Sequence, residues 1–405
     1  MIMGFEQFVK AKAPAPVQRN RHVLVTALGI TQILAWGSSY YLPAVLAAPI
    51  AKETGWSLAS IVAGLSCGLL LAGLVSPVTG RLIQRHGGRP VLAAGSLLLA
   101  AAHSLLATAT VYPLYLFAWL LMGLGMSSSL YDAGFATLGR LYGQAARGAI
   151  TNLTLFGGFA STVCWPLSAF LVEHGGWRIA CLSYAAIHLA ICLPLHLWVI
   201  PSPPPEAPAP VTGKSKGASA TGRTRARFIL LASILTLAAM IASTLSVHLL
   251  TLLQLRGVGL AAAVGLGALI GPSQVGARVA ELLIGRNRHN PIWTMLASVS
   301  LLAAGIWLLL ASQNFIALAL ILYGAGNGIH TIARGALPLV LFDPQQYAVL
   351  MGKLATPSLV IQAAAPSIGA LLLGMGGGNL VLTTLALAAT VNVALCACLV
   401  VAVRR

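Results

Sequence analysis

Apolar stretches follow one another along this chain with only short polar breaks between them, and that pattern leaves little choice of fold. They fall at 23–50, 57–80, 91–110, 113–139, 148–171, 178–199, 228–253, 258–284, 291–311, 315–340, 346–372 and 379–402. Each suits a helix crossing ~30 Å of hydrocarbon at ~1.5 Å per residue. Within hydrocarbon a lone segment must satisfy its own backbone, which a helix does and an isolated strand does not. With 58% hydrophobic and 8% charged residues, an ordinary soluble domain is excluded. The expectation is an all-α membrane protein of twelve transmembrane helices.

The chain also repeats itself. Gly123-Leu-Gly125 recurs as Gly324-Ala-Gly326, Arg85 and Pro90 as Arg286 and Pro291, and Pro166 and Gly176 as Pro366 and Gly376. Gly55 with Leu58-Ala59 recurs as Gly257 with Leu260-Ala261, so the offset stays between 200 and 202. Two pseudo-symmetric six-helix halves follow, at 22–200 and 228–405. Parallel halves of this kind suit alternating access, with substrate bound between them. Residues 1–21 read as a cytoplasmic tail and 201–227, rich in Pro, Ser, Gly, Lys and Arg, as a flexible linker. The polar start and long first apolar stretch argue for an uncleaved first span rather than a signal peptide.

The net charge of +17 raises the question of nucleic acid, and the placement of the charges answers it. Eighteen of the twenty-four Lys/Arg fall on the side that carries both termini, against Lys52, Arg178 and Arg256 on the other. That asymmetry is the positive-inside rule, which implies a multi-pass protein of a bacterial inner membrane with both termini cytoplasmic. The basic charge is then topology, with some affinity for anionic lipid, and no nucleic-acid partner is expected. The six cysteines all lie in apolar segments without a CxxC pair and read as small buried hydrophobes. No metal spacing, phosphate loop or nucleophile constellation is present in the sequence, so neither a cofactor nor an enzyme activity is expected.

The loop after span 2 reads Gly80-Arg-Leu-Ile-Gln-Arg85-His-Gly-Gly88-Arg89-Pro90. A small residue closes the helix, basic residues follow, and Gly-Gly allows a tight reversal. It resembles the signature loop of the major facilitator superfamily, with Gly80, Arg85, Gly88 and Arg89 on the motif positions and Gln84 where the motif has Asp. The likeness spans residues 22–403 and implies the major facilitator fold. Trp36-Gly37, Gly55-Trp56-Ser57 and the Gly123–Tyr131 stretch resemble bacterial monocarboxylate and oxalate/formate transporter-like members. Span 5 lacks the GxxxGPxxG pattern of proton–drug antiporters.

Ionisable residues inside spans are costly, at ~2.5 kcal/mol or more each near a helix centre, and mark function by default. Asp132 lies in span 4, Arg278 and Glu281 in span 8, and Arg334 in span 10. By the repeat, Arg278 stands at the Pro77 position and Glu281 at the Gly80 position. Gln274, Arg278 and Glu281 share one helix face. The guanidinium of Arg278 suits a carboxylate, or Glu281 neutralises it as a structural pair. The resemblance implies a substrate-binding Arg in span 8 and a Lys in span 11, where only Lys353 is available.

Asn327, His330 and Arg334 form a stripe on span 10, and Arg334 stands opposite Ala133, the neighbour of Asp132, in the repeat. Asp132 and Arg334 form an interdomain pair, or Asp132 takes a coupling proton while Arg334 meets substrate; a carboxyl in a low-dielectric site suits the latter. Arg140 is a third possible partner of Asp132. Spans 1, 4, 7 and 10 line the cavity in the superfamily, which adds Trp36, Tyr40, Tyr131 and His248 as candidates. Thr154, Ser161 and Trp165 form a weaker stripe on span 5.

The residues expected to bind substrate are thus Arg278, Arg334, Trp36, Tyr40, Tyr131, His330, Asn327 and Gln274, with Asp132 and Glu281 for protons. The leading expectation is a proton-coupled secondary transporter of a small, monocarboxylate-like organic anion, working as a monomer by rocking of its halves. A drug or metabolite efflux antiporter is the alternative. A non-transporting membrane sensor is a further one, disfavoured by the lack of room for an output domain.

Overall fold

The computed structural model describes residues 21–201, 222–285 and 290–404. The expected N-terminal tail, most of the linker, and Arg286 lie outside the described residues. Every regular element among the described residues is helical.

Span 1 comprises Arg21–Ser38 and Pro43–Thr54, span 2 Leu58–His86, span 3 Gly88–Ala107, and span 4 Tyr112–Ser129 with Tyr131–Tyr142. Arg147–Gly158 begins span 5, and the run Ala160–Ile187 completes it, turns at Gly176 and starts span 6, which ends with Leu193–Val199. In the second half, span 7 is Gly222–Gln254, beginning inside the segment expected as linker. Span 8 is Leu260–Gly267 with Ile270–Gly285, span 9 Pro291–Ala311, and span 10 Ile316–Leu341. Spans 11 and 12 are the run Tyr347–Arg404, which turns at Gly376-Gly377. Local signals explain several starts. The Ser57 hydroxyl accepts from the Ser60 N–H at 3.1 Å at the head of span 2, and Asn290 caps span 9 through the Ile292 N–H at 3.0 Å.

The repeat is visible in the backbone. Gly176 and Gly377 take the same left-handed turn, at φ 76° and 65°, in corresponding hairpins. Gly55 and Gly257 do so at φ 74° and 83°. The halves differ in their helices, however. Spans 1, 4 and 5 are interrupted at 39–42, at Leu130 and at Phe159, whereas spans 7, 10 and 11 run unbroken through the corresponding positions. Pro43 at the start of the second piece of span 1 favours the first of these breaks, because proline cannot donate to the preceding turn.

Each half has two buried clusters, one toward each face. Side chains of span 11 complete both clusters of the first half: Tyr347, Ala348 and Met351 in one, and Ala355, Leu359 and Ala363 in the other. Large apolar side chains such as Leu74, Phe117 and Leu371 remain exposed on the outside, as lipid contact requires.

The halves meet on the side that carries Arg21 and Arg404, hereafter the basic face. Span 2 packs along span 11, and the pieces of spans 4 and 5 nearest that face pack on spans 8, 10 and 11. At the opposite face, Pro43–Thr54 and Leu260–Gly267 pack on elements of their own halves. The molecule is closed at the basic face, and a cleft opens toward the other.

Candidate functional site

Three zones of contact close the basic face. Along spans 2 and 11 the backbones touch. A side chain at Gly80 would run into the Ala348 carbonyl, one at Gly352 would run into the Ser76 carbonyl, and the Thr356 hydroxyl donates to the Gly73 carbonyl at 2.8 Å. Tyr347 packs on Gly139 of span 4 while its hydroxyl donates to the Gly335 carbonyl at 2.6 Å.

The second zone is ionic. An Nη2 of Arg334 reaches both carboxylate oxygens of Asp132 at 2.7 Å, and each side chain is 17% exposed. Asp132 therefore pairs with Arg334 across the halves and not with Arg140. Beside Asp132 lies a cavity of about 10 Å³, one water wide, lined among others by Ser76, Thr79 and Ser127. His330 is turned into its own half, where it shares a hydrogen bond of 3.2 Å with Ser298 of span 9.

The third zone joins spans 5 and 8. Arg278 is 4% exposed. Its Nη1 donates to the Thr154 carbonyl of the other half at 2.9 Å, its Nε to the Gly328 carbonyl at 3.1 Å, and its Nη2 to the Thr331 hydroxyl at 3.5 Å. Gly158 lies directly beneath Nη1, with no room for a side chain. Arg278 has no ion-pair partner among the described residues. The sequence alternative in which Glu281 neutralises it does not hold: Glu281 accepts from Thr294 of span 9 at 2.8 Å and lies 3.9 Å from Arg147 of span 5. Two neighbours outside span 8 hold that carboxylate away from Arg278.

Above Arg278 the broken helices gather aromatic rings. Trp36 stands 5.1 Å from Tyr131, 5.5 Å from Tyr40 and 6.2 Å from Tyr41, centroid to centroid. Tyr41 in turn meets Trp165 of span 5 edge-on at 6.1 Å. The Tyr131 hydroxyl donates at 3.3 Å to the Thr154 carbonyl that Arg278 also engages. Gln274 and Asn327, half-buried on spans 8 and 10, have no side-chain hydrogen bond among the described residues. Beyond Trp165, a groove of about 480 Å³ runs between spans 1 and 5, lined by Ala44, Val45, Ser161, Thr162, Trp165, Pro166 and Ala169.

A family model, that of the Major Facilitator Superfamily, matches residues 28–286. The chain belongs to the major facilitator superfamily. Solved structures share its fold over 94% of its length. One is the human organic anion transporter MFSD10 (TETRAN), at 18% identity, 100% coverage of that chain and TM-score 0.73. Another is a point variant of the E. coli fucose:proton symporter FucP, at 14% identity, 99% coverage of that chain and TM-score 0.68. FucP in the outward conformation matches at 14% identity, 99% coverage and TM-score 0.69. No curated protein sequence matches the chain. This facilitator is a multi-pass membrane protein and a transporter, not an enzyme.

In this facilitator the structure brings together Arg278, Trp36, Tyr40 and Tyr131, with Gln274 and Asn327 nearby. It separates Arg334 and Asp132 into a pair of their own. His248 bonds the Pro366 carbonyl at 2.9 Å, inside its own half. In the signature loop, Gly80 sits at the seam with span 11, Arg85 is exposed, Gly88 is backed by Thr137 of span 4, and Arg89 is half-buried. Lys353 is exposed on span 11. Sequence reasoning missed Tyr41, the pairing of Arg147 with Glu281, and a buried histidine group. In that group His103 stacks between Tyr184 and His188, while His196 bonds Ser96 and Thr31. Pro43 behind Tyr40-Tyr41 was the one available signal for the break that places Tyr41.

Proposed function

We propose that this facilitator moves a small organic anion, carboxylate-like at its recognised end, in exchange or symport with protons. The observation that carries the reading is Arg278: a buried guanidinium, without a carboxylate, that bridges spans 5, 8 and 10 at the floor of the cleft. A buried cation in membrane is costly unless a partner arrives, and an anion is that partner. The likeness to an organic anion transporter and to a proton symporter supports the same reading.

In this reading the basic face is cytoplasmic, as the charge distribution implies, so the cleft opens outward. The unit is a monomer in the bacterial inner membrane, built of halves 22–200 and 228–405, with 1–21 and 201–227 as tail and linker. A carboxylate entering from outside takes Arg278 N–H groups in competition with the Thr154 carbonyl, which loosens the link between spans 8 and 5. The Asp132–Arg334 pair holds the closed face, and protonating Asp132 removes the charge that binds Arg334. Closure above the substrate and opening below complete one half-cycle.

Counterflow in proteoliposomes across a panel of organic acids, with a pH jump, tests the proposal. Arg278→Ala is expected to abolish carboxylate uptake while the protein still reaches the membrane; uptake at normal affinity would contradict the assignment. Asp132→Asn is expected to weaken accumulation driven by a pH gradient more than exchange. Equal losses would reduce the pair to a structural one.

A further inference from the structure

The geometry points to an aryl-bearing amphipathic anion as the substrate: its carboxylate on Arg278, its flat apolar body against Trp36, Tyr41 and Trp165 and into the groove between spans 1 and 5. This rests on the anion reading above and narrows it.

Arg278 Nη1 and the Tyr131 hydroxyl donate to the same Thr154 carbonyl, at 2.9 and 3.3 Å, so the cation and the aromatic cluster belong to one site. Three of its donors are engaged by Thr154, Gly328 and Thr331, and a guanidinium has donors to spare for a carboxylate. The aromatic rings then lead away from it in sequence. Tyr131 contacts Trp36, Trp36 contacts Tyr41, and Tyr41 meets Trp165 at 87° between planes. Edge-to-face contacts at ~4.5–7 Å are those that another aromatic ring can join. Trp165 is 44% exposed and forms part of the groove wall.

The groove decides the size and character of the body. At about 480 Å³ it lies in the range of ~300–1,000 Å³ that accommodates drug-sized ligands. A two- or three-carbon acid would occupy the guanidinium end and leave the groove to water. Its wall is alanine, valine, proline and tryptophan, with the Ser161 and Thr162 hydroxyls and the Trp165 indole N–H for polar contact. A sugar would leave most of its hydroxyls unmatched there. A cation would find Asp132 and Glu281 already engaged by arginines.

The test is isothermal titration calorimetry of the purified, full-length protein in nanodiscs with acetate, benzoate and naphthoate. Naphthoate is expected to bind at least tenfold tighter than acetate, with benzoate between them; Trp165→Ala should cost naphthoate roughly tenfold and acetate less than about twofold, with Trp165→Phe restoring most of the loss. Trp165 is half-exposed, so these variants keep the fold. Acetate binding as tightly as naphthoate, with both lost in Arg278→Gln, would overturn the aryl proposal and leave the anion reading standing. Equal weakening of both acids by Trp165→Ala would overturn it too. Naphthalenemethanol, the neutral analogue, binding as tightly as naphthoate and unaffected by Arg278→Gln would overturn the anion reading, and this proposal with it.

Discussion

Spans 2 and 11 form one seam at the basic face and spans 5 and 8 another, and the repeat makes them counterparts. The correspondence extends to single contacts. Gly80 corresponds to Glu281 and Ala348 to Arg147, so the backbone contact of Gly80 with Ala348 in one seam is the charged contact of Glu281 with Arg147 in the other. Pro77 corresponds to Arg278. One seam is made of glycines and carbonyls, the other of ionisable groups. A seam of small residues gains by close approach of backbones, and its contacts are made by glycines, carbonyls and the Thr356 hydroxyl rather than by a charged group. A seam built on Arg278 contains a group whose bonding changes when a carboxylate arrives. The difference locates recognition on one side of a nearly symmetric molecule.

Between the seams lies the Asp132–Arg334 pair, and breaking it should have the largest effect. Asp132→Ala leaves Arg334 buried without its partner, at an expected ~3–5 kcal/mol, read as thermal stability in detergent. The double variant with Arg334→Leu should recover most of that loss, and an equal loss in the double variant would mean that packing, not charge, matters there.

Loading the glycine seam comes next. Gly80→Val pushes a side chain into the Ala348 carbonyl, and overpacking of this kind costs ~1–3 kcal/mol. Because the strain exists only when the basic face is closed, the population should shift toward its opening by roughly ten- to a hundredfold. Spin-label distances across that face would lengthen, and unchanged distances would show that the seam can yield.

The smallest effect belongs to the charged seam's outer contact. Its N···O distance is 3.9 Å, against 2.7 Å for Asp132–Arg334 at similar burial, so Arg147→Gln, which keeps an amide donor, should change stability by about 1 kcal/mol. A larger change would mean that Glu281, not Arg278, anchors span 8.

Much of this was legible in the chain. Apolar length shows the twelve spans, and the offset of about 200 residues shows the halves. Laid in register, the repeat also marks Arg278, Glu281 and Arg334 as the points where the copies diverge. What could not be read was the partner of each charge. Helical spacing places Glu281 one turn from Arg278, and only the packing of span 5 and span 9 shows that Arg147 and Thr294 hold it instead. The interruptions of spans 4 and 5 were hidden for a similar reason, whereas Pro43 signalled that of span 1. Apolar periodicity continues through Leu130 and Phe159. Tyr41 faces the cluster because of such a break.

The most direct measurement compares the two seams by the cation each carries. Span 8 has Arg278, buried at the cleft; span 11 has Lys353, exposed near the basic face. Titrating benzoate onto wild type, Arg278→Gln and Lys353→Gln decides between them. Arg278→Gln should lose roughly thirtyfold or more in affinity, as removal of a buried charged hydrogen-bond partner costs ~2–5 kcal/mol, while Lys353→Gln binds like wild type. Wild-type affinity in Arg278→Gln together with a loss in Lys353→Gln would place recognition on the other seam and contradict the assignment.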